Sequence, residues 1–242
     1  MSASTTPLIE ARGLTMRFGG ILAVDALEFA VHPGELVGLI GPNGSGKTTT
    51  INMLSGHLAP VGGEIRVRGT PATGRKASDF ATIGVGRTFQ ITQLFSRMTV
   101  LENMLVPGLA RPRSHKAAVT ETAQRHLDFL GLAKLQHLQA RALSGGQQKL
   151  LELGRALMLE PSILFLDEPF AGVNPFLRDE IIELVQKLHA DGRTFVIVDH
   201  DIEALQRLVR RMVVMARGRK IADGTVDEVR HDQEVLRAYA GF

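Results

Sequence analysis

Cysteine is absent from the 242 residues. That excludes disulfides and thiolate metal sites and is compatible with a reducing compartment. No run of five like charges occurs, so the chain carries no dedicated nucleic-acid tail. Long apolar runs are missing too: the stretches at 36–40 and 195–198 fall far short of the roughly 20 residues a membrane-spanning helix needs. Residues 1–7 are polar, without a charged start and apolar core, and no secretory leader is expected. Sustained heptads are lacking, which excludes long coiled-coil arms. What remains, 44% hydrophobic and 22% charged residues, suits a globular chain with a sizeable core. Its formal net charge of +3 is mildly basic and fits a place beside an anionic membrane surface.

Hydrophobic patterning divides the chain in three. Leu27, Phe29 and Val31 alternate with Glu28 and Ala30, and 64–68 alternates after the turn signal Gly62-Gly63, so both stretches read as strands. The continuous apolar run 36–40 ends at a glycine and suits a strand buried on both faces. The middle is helical. Thr99-Val100-Leu101-Glu102 fits a capping box, and a helix over 116–130 would end at Gly131. Another over 146–159 lines up Leu150, Leu153 and Leu157 before Pro161 stops it. Then come a buried strand at 163–166, a helix at 175–190 and a buried strand at 195–198. This alternation predicts an α/β unit with a parallel sheet covered on both sides and a helical stretch inserted into it.

Gly41-Pro42-Asn43-Gly44-Ser45-Gly46-Lys47-Thr48 matches G-x-x-x-x-G-K-[ST] between a predicted strand and a predicted helix. Glycines let the backbone curl so that N–H groups point inward at phosphate oxygens, and the helix adds its positive end. Lys47 supplies a charge for the β- and γ-phosphates, and the Thr48 hydroxyl can ligate Mg²⁺. The run 163–166 delivers Asp167 and Glu168 to a strand end, where ligands of open parallel sheets bind. Asp167 suits the Mg²⁺ shell, and Glu168 suits orienting or deprotonating an attacking water.

A second anion-reading helix start is expected at Leu143-Ser144-Gly145-Gly146-Gln147. Ser144 and Gln147 form a capping box by themselves. Two adjacent glycines, however, cost a helix up to about 1 kcal/mol each relative to alanine. A cap does not need them, whereas a closely approaching phosphate does. One phosphate loop already holds a nucleotide, so the second reader makes sense toward nucleotide on a partner chain.

The phosphate loop, then 143–147, then Asp167-Glu168 about twenty residues on resemble the ATP-binding cassette family along nearly the whole chain. The resemblance implies a P-loop fold with an antiparallel β-subdomain and an inserted α-helical subdomain. Its core would be 1–90 with 159–242, and its helical part 91–158. It implies ATP and Mg²⁺ as ligands, with the backbone through Thr49 joining the phosphate grip. It implies that Phe18 stacks on adenine, that Gln90 senses Mg²⁺ and the membrane partner, and that His200 holds the γ-phosphate or the water. Ser144, Gly145, Gly146 and Gln147 would face the other subunit's nucleotide. Where many members have an aspartate after the acidic pair, this chain has Ala171-Gly172-Val173-Asn174. There Asn174 as N-cap and Pro175 at the first helical position explain themselves.

Within the family, Gly86-Arg87-Thr88-Phe89-Gln90, the stretch 94–103, the Asn174-Pro175 turn and the closing 236–241 resemble uptake importers for branched-chain and other hydrophobic amino acids. Those imply transmembrane permease subunits, a second cassette (related or identical), an indirect solute-binding protein and a site at the cytoplasmic face of the inner membrane. Urea and short-amide importers use similar ATPases. A soluble P-loop ATPase is the rival class, but it leaves 144–146 idle.

Overall fold

A computed structural model of the chain describes residues 6–111 and 114–240. Residues 1–5, where no secretory leader is expected, and Gly241 of the closing motif lie outside them. Alternating burial sets the first strands. β1 (Ile9–Phe18) and β2 (Ile21–Val31) pair antiparallel and turn Ile9, Ala11, Leu14, Leu27 and Phe29 inward. The inward set changes phase between Ala11 and Leu14, where Gly13 takes a positive φ of 57° that only glycine adopts at no cost. β3 (Leu36–Ile40) follows, fully buried, and the phosphate loop joins it to α1 (Lys47–Leu54). β4 (Gly62–Val67), β5 (Thr70–Pro71), α2 (Ala77–Thr82) and the short β6 (Val85–Arg87) complete the first part.

Three helices come next: α3 (Val100–Leu109), α4 (Lys116–Phe129) and α5 (Gly145–Leu157), packed on one another. The Thr99–Glu102 capping box opens α3, and the residue after α4's C-cap Leu130 is the expected Gly131, at φ 68°. The chain then returns to the sheet through β7 (Ile163–Asp167), α6 (Pro175–Ala190), β8 (Thr194–Val198), α7 (Ile202–Gln206), β9 (Arg211–Ala216) and β10 (Arg219–Thr225), and ends in α8 (Val226–His231) and α9 (Gln233–Ala240).

A four-stranded antiparallel sheet, β2-β1-β4-β5, lies over a six-stranded one, β10-β9-β3-β8-β7-β6. In the larger sheet β9, β3, β8, β7 and β6 run parallel and only β10 is antiparallel. Period-2 geometry splits its buried strands between two cores. Val37, Leu39, Phe165, Val196 and Val198 pack toward the antiparallel sheet and α1. Leu36, Ile40, Leu164, Leu166, Phe195 and Ile197 pack toward the helices, with Met104, Leu127 and Leu151. That double burial is why these strands read as unbroken apolar runs. Among the described residues no helix is long and apolar enough to cross a membrane.

Candidate functional site

Four adjacent parallel strands deliver the candidate residues to one edge. The phosphate loop leaves the carboxyl end of β3. His200 follows β8, Asp167 and Glu168 end β7, and Gln90 follows β6. Open parallel sheets bind ligands there because the loops diverge and helix N-termini converge.

The phosphate loop is fixed by close backbone packing. A Cβ on Gly41 would lie 2.1 Å from the Met215 carbonyl oxygen, and one on Gly46 would lie 2.5 Å from that of Ala23. Both take positive φ, 147° and 105°. Gly46 is the N-cap of α1 and offers no side chain to cap it, so first-turn donors face the loop's concavity. Pro42 is half-buried, Asn43 and Gly44 are exposed, and Ser45 is buried under the loop. The Lys47 ammonium donates to the carbonyls of Gly41 (2.7 Å) and Pro42 (3.0 Å). Burial pulls it below the ordinary lysine range, against the attraction of Glu168 and Asp167. A cation held on carbonyls inside its own loop is poised to exchange them for phosphate oxygens. Thr48 is exposed and Thr49 half-buried in the same turn. Behind the loop, burial pushes the Tyr239 phenol of α9 up, and the neighbouring Gly41 backbone opposes it.

The acidic pair is built asymmetrically. Asp167 is 2% exposed and pairs with the Arg87 guanidinium, Nη2 to Oδ2 at 2.9 Å. Arg87 also donates to Asn52 and Ser55 of the α1 region and lies over the Phe89 ring. Burial pushes the Asp167 carboxyl up and Arg87 opposes it. The other oxygen, Oδ1, is buried with no hydrogen-bond partner among the described residues. An orphaned carboxylate oxygen lacks compensation unless something binds it. With the exposed Thr48 hydroxyl, it makes a hard-oxygen donor set of the kind Mg²⁺ takes. Among the described residues no three His, Cys, Asp or Glu side chains cluster as a metal cage, so phosphate oxygens would have to supply the remaining ligands.

Glu168 adopts φ +50°, the left-handed region that a non-glycine residue enters at a cost of order 1–2 kcal/mol. Its N–H donates to the Val198 carbonyl at 2.7 Å, and its carboxylate accepts from Gln90 Nε2 at 2.9 Å. The structure thus brings the expected glutamine and glutamate into contact. His200 is exposed, with Nδ1 3.6 Å from the buried Asp199 carboxylate, which also accepts the His200 N–H. Phe18 is 50% exposed at the end of β1. It is therefore not a core phenylalanine, and its ring is free for a ligand.

The second helix start forms as expected, but its glycines have different reasons. Ser144 and Gln147 close a reciprocal capping box at the head of α5. A Cβ on Gly145 would meet nothing within 4 Å, whereas one on Gly146 would lie 1.9 Å from Leu177 Cδ2 of α6. A side chain on Gly146 would therefore require the half-buried Leu177 to turn aside. Gly145 opens onto free space. Asn174 caps α6, its side chain accepting the Leu177 N–H at 2.9 Å, with Pro175 in the first turn.

Three residues at the site were not singled out from the sequence: Arg87, Lys149 and Glu152. Lys149 donates to the Glu168 carbonyl oxygen, and buried Glu152 accepts the N–H groups of Phe89 and Gln93. The signal was there, as two charges three residues apart among Leu150, Leu151 and Leu153.

Comparison with known proteins gives the lineage. A family model described as ABC transporter matches residues 24–171. A second, described as Branched-chain amino acid ATP-binding cassette transporter, matches 219–239. The chain is 39% identical to the high-affinity branched-chain amino acid transport ATP-binding protein LivG of Escherichia coli (strain K12), over 97% of this chain and 98% of that protein. It is 36% identical to the probable LivG of Archaeoglobus fulgidus, over 97% and 95%. Among solved structures, the ADP conformation of an ATP-binding cassette of an ABC transporter superposes with a TM-score of 0.88 at 34% identity, over 98% and 100% of the two chains. A dimeric structure of a bacterial ABC transporter cassette gives 0.81 at 27%, over 90% and 98%. Similar to these relatives over almost its whole length, the chain belongs to the ABC transporter family and is one of its ATP-binding cassettes.

Proposed function

We propose that two cassettes close face to face on ATP and thereby energise uptake of branched-chain or other hydrophobic amino acids through transmembrane permease subunits. The observation that carries this reading is the convergence of Lys47, Asp167, Glu168 with Gln90, and His200 on four neighbouring strand ends. Lys47 leaves its carbonyls for the β- and γ-phosphates, and the backbone from Gly44 to Thr49 completes the cradle. Phe18 stacks on adenine. Thr48 and Asp167 Oδ1 are the groups that would hold Mg²⁺, with Gln90 beside them; when bound it neutralises charge on the β- and γ-oxygens.

Glu168, steadied by Gln90, orients the attacking water, and His200 faces the γ-phosphate from β8. Positioning and charge account for the rate, since phosphoryl transfer leaves the protein little covalent work. Ser144, Gly145 and Gly146, with Gln147, cover the nucleotide of the opposite subunit. The helical part, 91–158, and the two-part core, 1–90 with 159–242, are the bodies that move. The loop after Gln90, with Ile91 and Gln93 exposed, is where a permease docks. The assembly sits at the cytoplasmic face of the inner membrane, fed by a solute-binding protein on the far side. The substrate class follows the relatives, whose names specify branched-chain amino acid transport.

Glu168→Gln tests the core of this reading. ATP affinity stays near wild type by calorimetry, turnover falls by about a hundredfold or more, and the closed pair persists on a sizing column. Unchanged ATPase would remove Glu168 from the chemistry. ATPase that rises with co-purified permease subunits, and not with DNA, identifies the coupled partner.

A further inference from the structure

The Gln90–Glu168 pair depends on a helix that contributes no group to it. Glu168 sits in a left-handed conformation to which an L side chain does not relax unaided. Its carbonyl oxygen accepts the Lys149 ammonium at 2.9 Å and the Ala171 N–H at 3.2 Å. One turn along α5, Glu152 Oε1 accepts the N–H groups of Phe89 and Gln93, both at 3.2 Å. These bonds bracket Gln90. Both halves of the pair are therefore tied to one face of α5.

We propose that Lys149 is a positioning residue for hydrolysis: from α5 it holds the Glu168 backbone in the conformation that aims the carboxylate at Gln90, while Glu152 holds the loop that presents Gln90. This rests on the role given to Glu168 above.

The surroundings favour that role over a lysine merely tucked away. Burial disfavours the Lys149 charge, and Asp199, Glu152 and Glu168 attract it. Among the described residues none of these carboxylates comes within ion-pair distance of the ammonium. The cation instead lands on one main-chain oxygen, that of the residue whose backbone is strained. A lysine with a flexible stem of four carbons would more cheaply reach water. The same helix begins with Ser144-Gly145-Gly146, so engagement of its tip and alignment of the chain's own water-activating pair share one rigid element.

The test compares Lys149→Met, Lys149→Arg and Glu168→Gln in steady-state ATPase, using the membrane assembly where the isolated chain turns over too slowly to measure. Lys149→Met keeps stem volume and loses the donor. The expected result is a fall in kcat of about ten- to a hundredfold with KM and ATP affinity unchanged, the mark of lost alignment, and recovery in Lys149→Arg. Lys149→Met placed on Glu168→Gln adds little further loss. If Lys149→Met does not fold, Lys149→Leu, apolar and without a donor, takes its place with the same expectation. A kcat within twofold of wild type overturns the proposal. So does a loss that tracks weakened ATP binding or lowered Tm, or no recovery with arginine. If Glu168→Gln itself keeps turnover, the assignment of Glu168 fails instead.

Discussion

The two glycine-bearing helix starts, at α1 and at α5, look alike in sequence and differ in construction. At α1 the glycines are imposed by main chain: Met215 and Ala23 carbonyls leave no room for a Cβ at Gly41 and Gly46. No side chain caps that helix, so its donors are reserved for a ligand. At α5 a Ser144–Gln147 box satisfies the tip from within, and Gly146 packs against the Leu177 side chain. The α1 cradle is preformed and uncapped, whereas the α5 tip is satisfied by its own box and has open space at Gly145. The first arrangement binds strongly alone, whereas the second adds little until a second surface brings the phosphate to it.

Breaking the α1 side gives the largest effect. Lys47→Ala lowers ATP affinity by roughly a hundredfold, the scale of lost charge-assisted hydrogen bonds, and calorimetry at constant salt checks it. Near-normal affinity would show that backbone donors suffice. Gly46→Ala combines a positive φ with a main-chain clash, so it lowers Tm by roughly 4–10 °C and weakens ATP binding with it.

The α5 side separates folding from function. Gly145→Ala leaves Tm unchanged or raises stability by up to about 1 kcal/mol, as alanine favours helix, while ATP-driven pairing in a Glu168→Gln background is lost. If pairing survives, the open side of Gly145 faces nothing that matters. The smallest effect is expected from Gln147→Glu. Glutamate preserves the box, as Glu102 does at the head of α3, so stability stays within about 0.5 kcal/mol. Its added negative charge weakens pairing more at low salt than at high. Indifference to salt would mean no phosphate approaches that tip.

Much of the architecture was legible because period and burial agreed. The runs at 36–40, 163–166 and 195–198 became β3, β7 and β8, since strands covered on both faces admit only apolar residues. The helices at 116–130 and 175–190 ended within one residue of their caps. Other parts hid. β1 changes phase at Gly13, which destroys its alternation. The β9–β10 hairpin turns at Arg217-Gly218, with φ 49° and 82°, without the Asn-Gly or Asp-Gly signal such turns usually show. At the site, motif spacing delivered Lys47, Asp167, Glu168, Gln90 and His200, which four neighbouring strand ends bring together. It did not name the partners of Arg87, Lys149 and Glu152, because support across 80, 19 or 63 positions of chain leaves at most two charges among leucines as a local sign. The contact of Gly146 with Leu177, across 31 positions, is equally invisible in the sequence.

Tryptophan does not occur in this chain and tyrosine occurs once. That lone phenol, Tyr239, lies beside Gly41 behind the phosphate loop. Excited beyond the absorption of its phenylalanines, the folded chain therefore emits from one side chain beside the phosphate loop. Spectroscopy can use that emission, without any label, as a local report on the loop.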